Sequence, residues 1–130
     1  MSSPGENAEA VAATRDLAAL SAVEIVGANA VDLMTAAAVK LGLYEGTSGD
    51  VDLAEARILI DALGGLVAAA VPHLGHHHAA PLRDGLASLQ KAFREAQEYP
   101  DPPGEGPGEA VTARAASGAQ RDRAGRRRVD

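Results

Sequence analysis

The chain has 130 residues, a formal net charge of −6 and no cysteine, which leaves room for one domain and excludes disulfides, thiolate metal sites and cysteine nucleophiles. Phe93, Tyr44 and Tyr99 are the only aromatic residues and alanine is abundant, so each buried position contributes little area and a thin core is expected. Residues 1 to 99 carry six Lys/Arg and thirteen Asp/Glu, net −7, whereas residues 100 to 130 carry six arginines and five acids, net +1, so any attraction to nucleic acid belongs to the tail.

The opening stretch MSSPGENAEA has no basic residue and no apolar run after it, which argues against a secretory signal. Residues 1–20 show poor periodicity and read as a flexible N-terminal segment, with a helical turn or two at most between Glu9 and Leu20. Leu20 to Ile25 then reads as a helix start: Ser21 and Glu24 form an S-x-x-E capping box, flanked by Leu20 and Ile25 at the hydrophobic-staple positions. A first helix is predicted over about 22–41, with Val23, Val26, Ala30, Leu33, Met34, Ala37 and Leu41 on one face and Gly42 just beyond its end.

The loop YEGTSGDV should turn the chain back, and Asp52 with Glu55 repeats the capping logic. A second helix follows over about 53–75, its main stripe running through Leu53, Ala56, Ile60, Leu63, Val67, Ala70 and Leu74, widened by Leu59 and Leu66. On its back, Ile58, Ala62, Gly65 and Ala69 line up as a second apolar strip of mostly small residues. Glycine in a helix interior costs about 1 kcal/mol relative to alanine, so Gly64 and Gly65 point to close approach by another helix, one that can belong to another chain. Pro72 kinks this helix or ends it by Gly75. The longest apolar run, Ala62 to Val71, contains both of these glycines and is too short to span a bilayer, so no membrane association is expected.

A third helix is predicted over about 81–98, with Pro81 in its first turn. Leu82, Leu86, Leu89 and Phe93 mark its inner face, and the pairs Lys91–Glu95 and Arg94–Glu98 its outer one. PDPPGEGPGE then lacks apolar periodicity, and residues 100–130 read as disordered. The fold class is therefore all-α: a three-helix hairpin or bundle over residues 21–99 between a flexible N-terminus and a disordered tail. One core of this size supplies only about 3–5 kcal/mol. Self-association through Ile58, Ala62, Gly65 and Ala69 is therefore expected, giving a homodimer or larger homo-oligomer.

All four histidines fall in HLGHHH, at His73, His76, His77 and His78. Spacings of three and four residues can place two imidazoles on one helix face for a metal. Pro72 and Gly75 argue against a continuous helix here, no cysteine is available and no H-E-x-x-H glutamate intervenes. A polar interhelical turn is the favoured reading, with metal or small-ligand binding at this turn as the alternative. Asp32, Asp61 and Asp84 fall on three predicted helices as surface charges, and no phosphate-loop, dinucleotide or nucleophile-elbow motif occurs, so neither catalysis nor a cofactor is expected. Arg121, Arg123, Arg126, Arg127 and Arg128 can touch RNA phosphates in a salt-dependent way, but without neighbouring aromatics they offer no stacking platform.

The segments TAAAVKLGLYEG, DLAEARILIDAL and HHAAPLRDGLASLQKAFREA, in this order, resemble a bacterial family, the domain-of-unknown-function family numbered eighteen forty-four. The resemblance extends over about Val23 to Glu109. It implies a small cytoplasmic helical protein of the kind found in high-GC Gram-positive and some other bacteria, often encoded beside translation initiation factor three and large-subunit ribosomal proteins. It supplies no catalytic or ligand residue. Family members commonly continue past a PGEGPGE-like segment with a tyrosine-bearing end, from which this chain departs at Ala110. The expectation is a helical interaction module with an unknown protein partner, possible contact with ribosomal RNA being confined to the tail.

Overall fold

The computed structural model describes residues 4–114, whose regular secondary structure is helical with no strand among them. Four helices follow one another: α1 Pro4–Ala19, α2 Ala22–Lys40, α3 Leu53–Ala70 and α4 His76–Ala96, with a 3-10 turn, Val71–His73, between the last two. The three-helix core matches the sequence expectation, and α1 is an addition to it. Alanine's high helix propensity accounts for α1. The helix has no buried face, and its side chains from Asn7 onward are exposed.

Local chemistry sets the helix ends. Ser21 Oγ accepts from the Glu24 N–H and the Glu24 carboxylate accepts from the Ser21 N–H, both at 3.2 Å, so both halves of the capping box are made. At the other end of α2, Gly42 takes φ +72. The Gly42 and Leu43 N–H groups donate to the Val39 and Ala38 carbonyls, a Schellman closure that a left-handed glycine permits. Asp52 caps α3 by accepting from the Glu55 N–H at 3.1 Å. Its own N–H goes to the Lys40 carbonyl at 2.8 Å, so the reciprocal half of the expected box is replaced by a tie between α2 and α3.

Pro72 tightens the end of α3 into the 3-10 turn, and Leu74 is extended, so this helix ends at Ala70 rather than 75. The next begins at His76 rather than 81, which puts Pro81 at its sixth position instead of its first turn. The missing proline N–H leaves the carbonyl four residues back, at His77, without its helical donor. His77 is exposed, so water can satisfy it.

α3 is the central element, packed most extensively on α2 and then on α4. The expected stripes bury themselves: Ala30, Ala37 and Leu41 from α2, Ala56, Ile60, Leu63 and Val67 from α3, and Leu82, Leu86, Leu89 and Phe93 from α4. Phe93, Ile60 and Leu63 are the largest fully buried side chains.

The expectation of disorder from residue 100 fails for the described part of the tail. Residues 101–109 form a strap across α3 and α4, continuing into helical residues 109–114. Polar contacts, not an apolar stripe, hold it there, which is why periodicity gave no sign of it.

Candidate interaction surface

The surface of α3 divides into sectors about its axis. Ala56, Ile60, Leu63 and Val67 face the core, and next to them Arg57, Asp61 and Gly64 receive the strap. Arg57 Nη2 donates to Asp101 Oδ2 at 2.6 Å while its guanidinium carbon lies 5.0 Å from the centroid of the Phe93 ring. Gln97 Nε2 donates to the same Asp101 oxygen at 3.0 Å. The hydrogen bond from Arg57, then that from Gln97, holds the Asp101 carboxyl below its ordinary pKa.

The Gly108 N–H donates to Asp61 Oδ1 at 2.7 Å, and Gln90 Nε2 donates to the Pro107 carbonyl at 3.0 Å. Arg94 does not pair with Glu98 as the helical spacing suggested. It reaches Glu109 at 2.6 Å, while the other Glu109 oxygen accepts from the Gly104 N–H at 2.7 Å. Lys91 and Glu95 do pair, at 4.0 Å and well exposed. The close approach at Gly64 is made by Gly108 of this same chain rather than by another helix, and nothing approaches Gly65.

Opposite the core lie Ile58, Ala62, Gly65 and Ala69. Ile58 is 64% exposed, Ala62 and Ala69 are exposed and Gly65 is half-buried, so these residues form one apolar strip beside the strap. Small side chains at helical spacing let a second helix come near, and Ile58 supplies a knob at one end.

A second apolar surface was missed by the sequence reading. On the outer side of α2, Ala28, Val31, Thr35 and Val39 recur at spacings of three and four residues, and all four are exposed. A groove of about 300 Å³ runs beside them between α2 and α4, lined by Val31, Met34, Thr35, Ala38, Tyr44, Gly85 and Leu89. By length and composition α2 could cross a membrane, and only 11% of its apolar stretch is buried within the described residues. The signal was present in the sequence. Assigning the α2 stripe to the core drew attention away from the other face of the same helix.

The four histidines are exposed and split between elements, His73 in the 3-10 turn and His76, His77 and His78 in the first turn of α4. The His77 and His78 rings lie 4.1 Å apart, tilted by 40°. Among the described residues, no three or more His, Cys, Asp or Glu side chains gather as metal ligands would. Asp32, Asp61 and Asp84 sit on separate helices, with Asp61 engaged by the strap. The arginines proposed for RNA contact, Arg121, Arg123, Arg126, Arg127 and Arg128, lie outside the described residues.

The model of one family, described as a domain of unknown function (DUF1844), matches residues 23–95. The match begins at the first turn of α2 and ends within the last turn of α4. The resemblance read from the sequence to Glu109 therefore goes past the matched span, which stops before the strap. No curated protein and no solved structure matches the chain.

Proposed function

The chain belongs to the DUF1844 family of domains of unknown function, and on that premise we propose that it is a non-catalytic helical interaction module that self-associates and docks a protein partner. The observation that carries this reading is the exposed strip Ile58, Ala62, Gly65 and Ala69 on α3, apolar in a helix whose other faces are occupied by core and strap. Burying a side chain such as Ile58 gains about 1.5–3 kcal/mol relative to leaving it exposed. In a domain of about 3–5 kcal/mol that is a large fraction of the whole stability. A cytoplasmic location and a partner in translation follow from what the family resemblance implies. Contact with RNA belongs in this reading to the five terminal arginines.

Light scattering on the full chain tests self-association: an oligomer that Ile58→Asp and Gly65→Leu both weaken supports it, and a compact monomer at micromolar concentration refutes it. Sedimentation of the full chain with ribosomes, at low and moderate salt, tests the translation link. Co-sedimentation that fades with salt supports the arginine contact, and the absence of co-sedimentation at either salt refutes it.

A further inference from the structure

We infer that the outer face of α2, together with the groove between α2 and α4, is a docking site for a basic amphipathic helix of a partner protein. The inference rests on the reading of the chain as an interaction module and names the chemistry of its partner. Self-association stays with the α3 strip.

The apolar part of this surface is shaped for a helix. Ala28, Val31, Thr35 and Val39 stand exposed along three turns of α2, a length of about 16 Å. Beside them the groove drops to Met34 and Gly85, and past the end of α2 the apolar surface continues into Leu43 and Tyr44, 58% and 49% exposed. A helix satisfies its own backbone hydrogen bonds and can lie against such a surface. An extended peptide needs a strand to pair with, and there is none among the described residues.

Charge selects the kind of helix. Around the α2 axis, Val31, Thr35, Ala28 and Val39 lead away from the groove in that order, and Asp32 comes next, at the outer edge of the strip. Across the groove, the turn of α4 beyond Gly85 places Glu95 and Asp84 on the exposed rim. Glu24 stands at the N-terminal end of the strip and Glu45 follows Tyr44 at the other. Residues 22–52 hold Glu24, Asp32, Glu45, Asp50 and Asp52 against Lys40 alone, and Lys40 falls on the opposite side of α2. Among the described residues Asp32, Glu45 and Asp84 form no ion pair, since the bases that do pair reach Asp101, Glu95 and Glu109. Carboxylates therefore flank the apolar strip on both long edges and at both ends. A helix that carries lysines or arginines beside an apolar stripe matches that pattern.

The same charges weigh against other occupants. A second copy would set its own acidic rim against this one, and anionic headgroups would be repelled. Nor does the chain itself supply the helix. Arg57 and Arg94 are tied to the strap, and residues 115–130, with five arginines, have Val129 as their one apolar side chain larger than alanine.

The test is calorimetric titration of the full chain with a model peptide of about 18 residues, built from leucine, alanine and lysine with the leucines on one helical face. Two control peptides carry glutamate for lysine, or the same residues permuted so that no apolar face forms. Circular dichroism establishes folding of each variant. The lysine peptide should bind and the controls should not. Its dissociation constant should rise about tenfold in Val31→Gln and Val39→Gln, whose burial is lost. It should rise about two- to fivefold in Asp32→Asn and Asp84→Asn and with added salt, and stay unchanged in Ile58→Asp. Absence of binding overturns the proposal, as does equal binding of either control peptide. Binding lost in Ile58→Asp but kept in Val31→Gln overturns it by seating the peptide on the α3 strip. Flotation of wild type, but not Val31→Gln, with neutral phosphatidylcholine vesicles assigns the face to lipid and also overturns it. Light scattering on the same samples keeps the two readings apart: a monomer that binds the peptide refutes self-association alone, and an oligomer that does not bind it refutes this proposal alone.

Discussion

Gly64 of α3 and Gly108 of the strap meet backbone to backbone: a Cβ on Gly64 would stand 2.8 Å from the Gly108 Cα. Alanine at position 64 gains about 1 kcal/mol in helix propensity, but overpacking against a backbone atom costs about 1–3 kcal/mol. Gly64→Ala should therefore be neutral or destabilising, and should lift the strap. At Gly65, where nothing lies within 4 Å, the propensity term acts alone and Gly65→Ala should stabilise by about 0.5–1 kcal/mol. Urea unfolding of the two variants checks the contrast. Two stabilised variants would show that the strap does not constrain Gly64.

Gly85 gives a second steric prediction. A side chain there would collide with the Met34 thioether, which fills the space between α2 and α4. Gly85→Ala alone should displace Met34 and open the groove floor, whereas in a Met34→Ala background the added methyl has room. A double-mutant cycle should return a coupling of about 0.5–3 kcal/mol. Additive effects would show that Met34 moves aside without cost.

Phe93 tests how thin the core is. It is the one phenylalanine of the chain, 2% exposed and covered by Arg57. Truncation to alanine typically costs about 3–5 kcal/mol. That equals the whole stability expected of a core this size. Phe93→Ala should thus be largely unfolded by circular dichroism at 25 °C, and Phe93→Leu should remain folded with a lowered midpoint. A cooperative, wild-type-like transition in Phe93→Ala would place the stability elsewhere.

These residues also mark what could be read from the sequence. Ser21, Glu24 and Gly42 announce the ends of α2 because capping is local chemistry between residues a few positions apart. Ile60, Leu63 and Phe93 announce the core because burial imposes a period on the chain. Arg57, Asp61 and Arg94 gave no such signal. Each sits on a helix face where a charge is equally at home in water, and its partner lies 15 to 47 positions away in a segment with no period. The glycines were informative but ambiguous: Gly64 did signal close approach, yet nothing in its neighbourhood distinguishes a helix from an extended strap. The candidate surface on α3 was legible as a strip, while that on α2 was hidden by the better-defined stripe on the same helix.

The Asp101 clasp gives the last prediction, a pH dependence of defined sign. Its carboxyl sits below the ordinary value of 3.8 because Arg57 and Gln97 donate to it in the folded state. A carboxyl with a depressed folded pKa contributes stability that is fully present above its unfolded value and is lost as pH falls through the folded one. The strap should thus be held evenly from pH 7 to about 5 and loosen below about 4, where carboxylates begin to protonate. Because the pair is only partly buried, salt should weaken it as well. The Arg57 side-chain NH and Gly108 amide resonances report on the two ends of the contact. Wild type should show both moving together below pH 4, and Asp101→Asn should remove that step from the Arg57 signal. An Arg57 titration unchanged by Asp101→Asn would mean that the carboxylate does not hold the guanidinium in solution.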